Sequence, residues 1–196
     1  FYPLWSGNRK VDYSVRTKAE TLGAASDDIK VVLGLLTLRF LAGNKDLAEQ
    51  VAHQALEQWH KDAKKNIEKI SASLEERHER FGELAFLLEP DLKEARGGLR
   101  DITIISALAL LDEITIPLDR VAEAESILFS VRDALHQTSN RDRDQLLFTE
   151  QDKVAALLEY ADADVLMAEV AKSARVVDYT FTRIWDQLEK SGRRSL

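Results

Sequence analysis

The chain has no cysteine in its 196 residues. Disulfides and thiolate zinc sites are therefore excluded, and a cytoplasmic protein is the simplest reading. No apolar run approaches the roughly 18 residues of a membrane span, and the first residues do not read as a signal peptide. A basic surplus is also missing. Lys and Arg number 27 against 34 Asp and Glu, for a net charge of −7 and a sequence pI near 5.2. That balance argues against a general nucleic-acid binder and against a binder of acidic membranes, and leaves room for a small basic nucleotide pocket. There is no internal repeat, no low-complexity linker and no metal-spaced histidine cluster. His53 and His60 stand seven apart on one helical pattern, too far to chelate an ion without other ligands.

What is present is helical periodicity. A hydrophobic share of 45% beside a charged share of 31% fits a soluble globular chain, long enough for one domain or one and a half. Lys10 to Val15 alternates and reads as a strand. Thr17 with Glu20 forms a capping-box pattern that opens a short helix to about Ala24. Ser26-Asp27-Asp28 starts a second, apolar helix through Phe40, ended by Gly43-Asn44. Asp46 to Phe81 is the longest helical pattern, and its part from Asp62 reads as a charged, solvent-facing surface. Phe86-Leu87-Leu88 is expected to pack, and Pro90 opens a loop. Further helices are expected over Leu99–Asp112, which is apolar on several faces, then Asp119–Thr138, Thr149–Tyr160 and from Asp162-Ala163-Asp164 to Glu189. The expected fold is mostly α: a helical bundle preceded by a scrap of sheet. Phe1 is not a Met and stands in a strand-like pattern, so the chain reads as a fragment of a longer protein.

The most informative segment runs from Pro90 to Asp101, with Lys93, Glu94, Gly97, Gly98, Arg100 and Asp101 in nine residues. Adjacent glycines permit close approach of the backbone to a partner or phosphate. Lys93 and Arg100 could hold an anion, with Asp101 orienting Arg100. The alternative is architectural: a helix end followed by a new helix start. Arg77 and Arg80 could form a basic edge on one helix face, or belong to a solvated face balanced by Glu75, Glu76 and Glu79. Arg132 and His136, four apart, with Arg141 beyond them, could face an anion or brace a loop at a helix C-terminus. Asp142-Arg143-Asp144 and Asp162-Ala163-Asp164 have Asp-x-Asp spacing, but both sit at helix ends and read as caps and turns.

Lys93-Glu94-Ala95-Arg96-Gly97-Gly98-Leu99-Arg100-Asp101 resembles the signature of the bacterial PII-protein uridylyltransferases. Ser14-Val15-Arg16-Thr17, the run Glu76 to Gly82, and Arg141 to Gln151 with Asp144, Leu147 and Phe148 resemble further segments of that family in the same order. The likeness covers about Leu4 to Trp185. One departure is Ala95, where the family often has Gly.

The resemblance implies an enzyme that transfers UMP, or AMP, from UTP or ATP to a Tyr of the PII signalling protein, with Mg²⁺ held by carboxylates of a polymerase-β-like core. On that scheme residues 1–17 are the C-terminal edge of the nucleotidyltransferase core, 18–190 the helical domain and 191–196 a tail. Asp12, in Val11-Asp12-Tyr13-Ser14-Val15-Arg16, matches the spacing of the third metal carboxylate in related adenylyltransferases, although many uridylyltransferases carry Gly there. Otherwise it is a solvent-facing carboxylate at a strand end. Arg16 would close the strand toward the same pocket. The first Asp-x-Asp pair is not found, so the fragment alone is expected to be inactive. A His-Asp domain for nucleotide removal is expected beyond Leu196. A non-catalytic helical scaffold or interaction module and a glutamine-synthetase adenylyltransferase remain as alternatives.

Overall fold

A computed structural model describes residues 13–139 and 143–192. Among them the structure is helical, with two isolated β-bridges and no sheet. Of the expected strand, Lys10 to Asp12 fall outside the described residues, and Tyr13 to Val15 are in no strand. The chain divides into two compact units, one ending at Trp59 and the other beginning at His60.

The first unit holds α1 (Lys18–Asp27), α2 (Ile29–Leu36) and most of α3 (Lys45–Lys61). The capping box forms as expected. The Glu20 N–H donates to Thr17 Oγ1, and the Thr17 N–H donates to Glu20 Oε2 at 2.7 Å. Asp28 caps α2 through the Lys30 N–H. The second helix stops at Leu36, short of Phe40, and Asn44 begins α3 rather than ending α2: its Oδ1 accepts from the Leu47 N–H. Ala25, Val32, Leu33, Val51, Ala55 and Trp59 are the buried apolar residues here.

The long helical pattern resolves into two helices, because Asp62 leaves helical geometry at φ −98°, ψ 14°. The second of them, α4 (Ala63–Phe81), buries Ile67, Ile70 and Leu74, so its charged residues cover only the outer side of a packed helix. Gly82 at φ +69° ends it. A 3₁₀ turn (Leu84–Phe86) follows, then α5 (Leu99–Leu108), α6 (Asp119–Ser139), α7 (Phe148–Leu157) and α8 (Ala163–Lys190). The predicted packing of Phe86-Leu87-Leu88 is wrong. Phe86 is 76% and Leu88 83% exposed, while Leu84 fills the core.

The axis of the second unit is α8. Its 28 residues contain no Pro or Gly, and Asp162 caps it by accepting from the Val165 N–H. At 1.5 Å per residue it is about 42 Å long. Leu166, Val170, Ala174, Val177, Phe181, Ile184 and Leu188 recur every three to four positions and are buried against α5, α6, α7 and the 3₁₀ turn. The segment from Gly82 to Gly98 is pinned at both ends of its path. Leu84 N–H bonds Arg96 O and Arg96 N–H bonds Gly82 O, while Leu92 N–H bonds Asp144 O and Leu146 N–H bonds Pro90 O.

Candidate functional site

Three sequence segments singled out above converge in the second unit: the end of α4, the glycine loop and the stretch before α7. The loop is built first. Asp91 Oδ1 accepts from the Lys93 and Glu94 N–H groups at 2.9 and 2.7 Å, an Asx turn that curls the chain. Gly97 then takes φ +85°, and a Cβ there would stand 2.7 Å from the Ala174 carbonyl oxygen of α8. Gly98 has an ordinary φ of −90°, but a Cβ would meet the carbonyl oxygens of Ala95 and Leu92 at 2.8 Å. The two glycines therefore serve close backbone packing, within the loop and onto α8. Ala95 is fully buried where the family often has Gly.

The N–H groups that could cradle a phosphate are already used. Gly97 N–H donates to Asp101 Oδ2 at 2.7 Å, Gly98 N–H to Ala95 O, Leu99 N–H to Leu92 O, and Arg100 N–H to Lys93 O. Each of these donors has an internal acceptor here.

Asp101 is the centre of the arrangement. It lies in the first turn of α5 and is 1% exposed. It does not orient Arg100, as the sequence suggested. Its Oδ1 accepts from Arg77 Nη2 and lies 3.2 Å from His78 Nε2, and its Oδ2 holds Gly97. His78 Nε2 also lies 3.3 Å from Arg77 Nη2, so the imidazole stands between the guanidinium and the carboxylate. Arg77 also donates through Nη1 to the Glu94 carbonyl at 2.8 Å. Arg77 and Arg80 thus part company. Arg77 is tucked against the loop, whereas Arg80 is exposed and lies over the Phe81 ring at 5.2 Å.

Arg100 pairs instead with Glu94, Nη2 to Oε1 at 2.8 Å. Lys93 stands 3.7 Å from Asp144 and 3.9 Å from Glu94. Arg132 and His136, one turn apart on α6, converge on Asp144 Oδ1 at 2.7 and 3.0 Å. Asp144 is therefore an ion-pair hub and not the turn carboxylate expected. Gln151 is buried and donates to Leu88 O at 2.7 Å, tying α7 to the same loop. Arg96 forms a two-point pair with Asp178 of α8, Nε to Oδ1 at 2.6 Å and Nη2 to Oδ2 at 3.3 Å. The sequence sets His78 beside Arg77 and Glu94 inside the glycine segment without pairing either with its partner, and no local pattern marks Asp178. Asp12 and Arg141 fall outside the described residues. Arg16 is exposed just before α1, in the other unit.

Electrostatics follow from these contacts. Burial pushes the Asp101 carboxyl up, but the His78 hydrogen bond and the Arg77 charge outweigh it and hold it below the usual carboxylate value. Asp144 is likewise lowered against the cost of burial, by Arg132, then His136 and Lys93. Glu94 is lowered against burial by Arg100, then Lys93 and Arg77. The Asp178 hydrogen bond raises Arg96. Carboxyls held low in the folded chain take up protons in the unfolded chain first. The stability they supply is complete above their unfolded values near pH ~4 and is lost as pH falls through the folded values. Urea midpoints recorded from pH 7 down to pH 3 are expected to fall. The gap between wild type and Asp101→Asn should narrow over the same interval, and a constant gap would contradict the assignment.

Among the described residues no group of three or more His, Cys, Asp or Glu side chains is placed to hold a metal ion. These residues do not fit the Mg²⁺ that the resemblance implies, and no chemical step is derived through it. No helix among them is long and apolar enough to cross a membrane.

A family model described as GlnD PII-uridylyltransferase matches residues 65–116 and 116–185, a span that holds the loop and both of its carboxylate hubs. A bifunctional uridylyltransferase/uridylyl-removing enzyme of Streptomyces coelicolor is 44% identical over 188 residues, covering 96% of this chain and 22% of the relative. Proteins of the same name from Mycobacterium tuberculosis and Corynebacterium glutamicum are 34% and 35% identical, each over 91% of this chain and over 23% and 25% of their own lengths. The chain thus spans about a quarter of these relatives or less. No solved structure matches it.

Proposed function

The chain belongs to the GlnD PII-uridylyltransferase family, and from that membership we propose that the whole protein transfers UMP, or AMP, from a nucleoside triphosphate to a Tyr of the PII signalling protein, and also removes it. Residues 18–190 act in it as the helical domain, between a nucleotidyltransferase core to which residues 1–17 contribute and a tail at 191–196. Mg²⁺ dependence belongs to the same proposal. Because the described residues offer no ligand set, the carboxylates would be Asp12 or residues outside this chain.

Within that protein we assign the helical part a scaffolding role. The observation that carries this is the occupancy of the loop's donors. Lys93, Arg77 and Arg100 face internal carboxylates, and the N–H groups from Gly97 to Arg100 face internal oxygens. Such a unit holds catalytic parts in register without touching phosphate itself, which suits a displacement that depends on positioning. Nothing in the geometry favours a glutamine-synthetase adenylyltransferase over this reading.

The test is an incubation of the full-length protein with a PII-type protein, Mg²⁺ and labelled UTP or ATP. Label on a PII tyrosine is expected from the full-length protein and none from residues 1–196 alone. Absence of label with either nucleotide would contradict the assignment of activity. Label transferred by residues 1–196 alone would contradict the scaffolding role.

A further inference from the structure

We draw no further inference here: the strongest candidate, the groove of about 230 Å³ between α4 and α8 lined by Glu75, Asp186, Phe181 and Trp185, rests on an acidic cluster with no second observation that points to a ligand, and nothing in the structure shows what covers it.

Discussion

Replacing Asp101 by Asn is expected to lower the stability of the chain by about 3–5 kcal/mol, the range for removing one partner of a buried ion pair. The reason is the number of donors that meet there. Arg77, His78 and the Gly97 N–H all point at the two carboxylate oxygens of a residue only 1% exposed. Asn keeps one acceptor and turns the other position into a donor. Its NH₂ then faces either the Gly97 N–H or the Arg77 and His78 pair, and the Arg77 charge loses its counter-ion. For a chain of this size the loss corresponds to a drop in melting temperature on the order of 10 °C. Urea or thermal unfolding followed by circular dichroism measures it. A change below about 1 kcal/mol would mean that the junction is solvated and not a brace.

The second large effect is expected at Gly97. An alanine there must hold φ near +85°, which costs an L-residue roughly 1–2 kcal/mol. Its Cβ must also find room 2.7 Å from the Ala174 carbonyl oxygen, where only a shift of α8 against the loop relieves the clash, at a further 1–3 kcal/mol or so. Gly97→Ala should therefore cost roughly 2–5 kcal/mol. Gly82→Ala is the comparison. Its backbone, at φ +69° and ψ −168°, is one that glycine alone adopts readily, but the nearest atom is a flexible Leu87 methyl at 3.4 Å, so a backbone cost of about 1–3 kcal/mol applies without the clash. Equal losses at the two positions would show that conformation alone matters. A larger loss at Gly97 would show that the loop is seated on α8.

The features legible in the sequence are those carried by neighbours in the chain. Thr17 with Glu20, Asp28 before Ile29 and Asp162 before Ala163 announce helix starts because the capping bonds span at most three residues. The heptad-like recurrence from Leu166 to Leu188 announces α8 for the same reason. Asn44 is ambiguous in the sequence because an Asn after Gly marks an end and a beginning equally well. The break at Asp62 has no proline or glycine to signal it and no side-chain capping bond to explain it. Phe86-Leu87-Leu88 reads as core in the sequence because an apolar run states composition and not direction. The candidate site was legible as a segment, and its partners were not. Arg96 meets Asp178 across 82 residues and Arg77 meets Asp101 across 24, and no spacing rule reaches that far. Lys93 and Arg100 read as anion-holding residues from their charge, from the two glycines beside them and from the family resemblance. Their carboxylates, Glu94 and Asp144, lie in the same motif segments, and nothing in the spacing shows which cation each one meets.

On the proposed scaffolding role, this loop braces the helical domain and the nucleotide is held elsewhere. The most direct test is a titration of UTP, with Mg²⁺, into the full-length protein carrying Lys93→Ala and Arg100→Ala together, against wild type. Dissociation constants within about twofold of each other are expected, with a lowered unfolding midpoint in the variant. A loss of affinity beyond about tenfold at an unchanged midpoint would contradict it, and would return Lys93 and Arg100 to the phosphates.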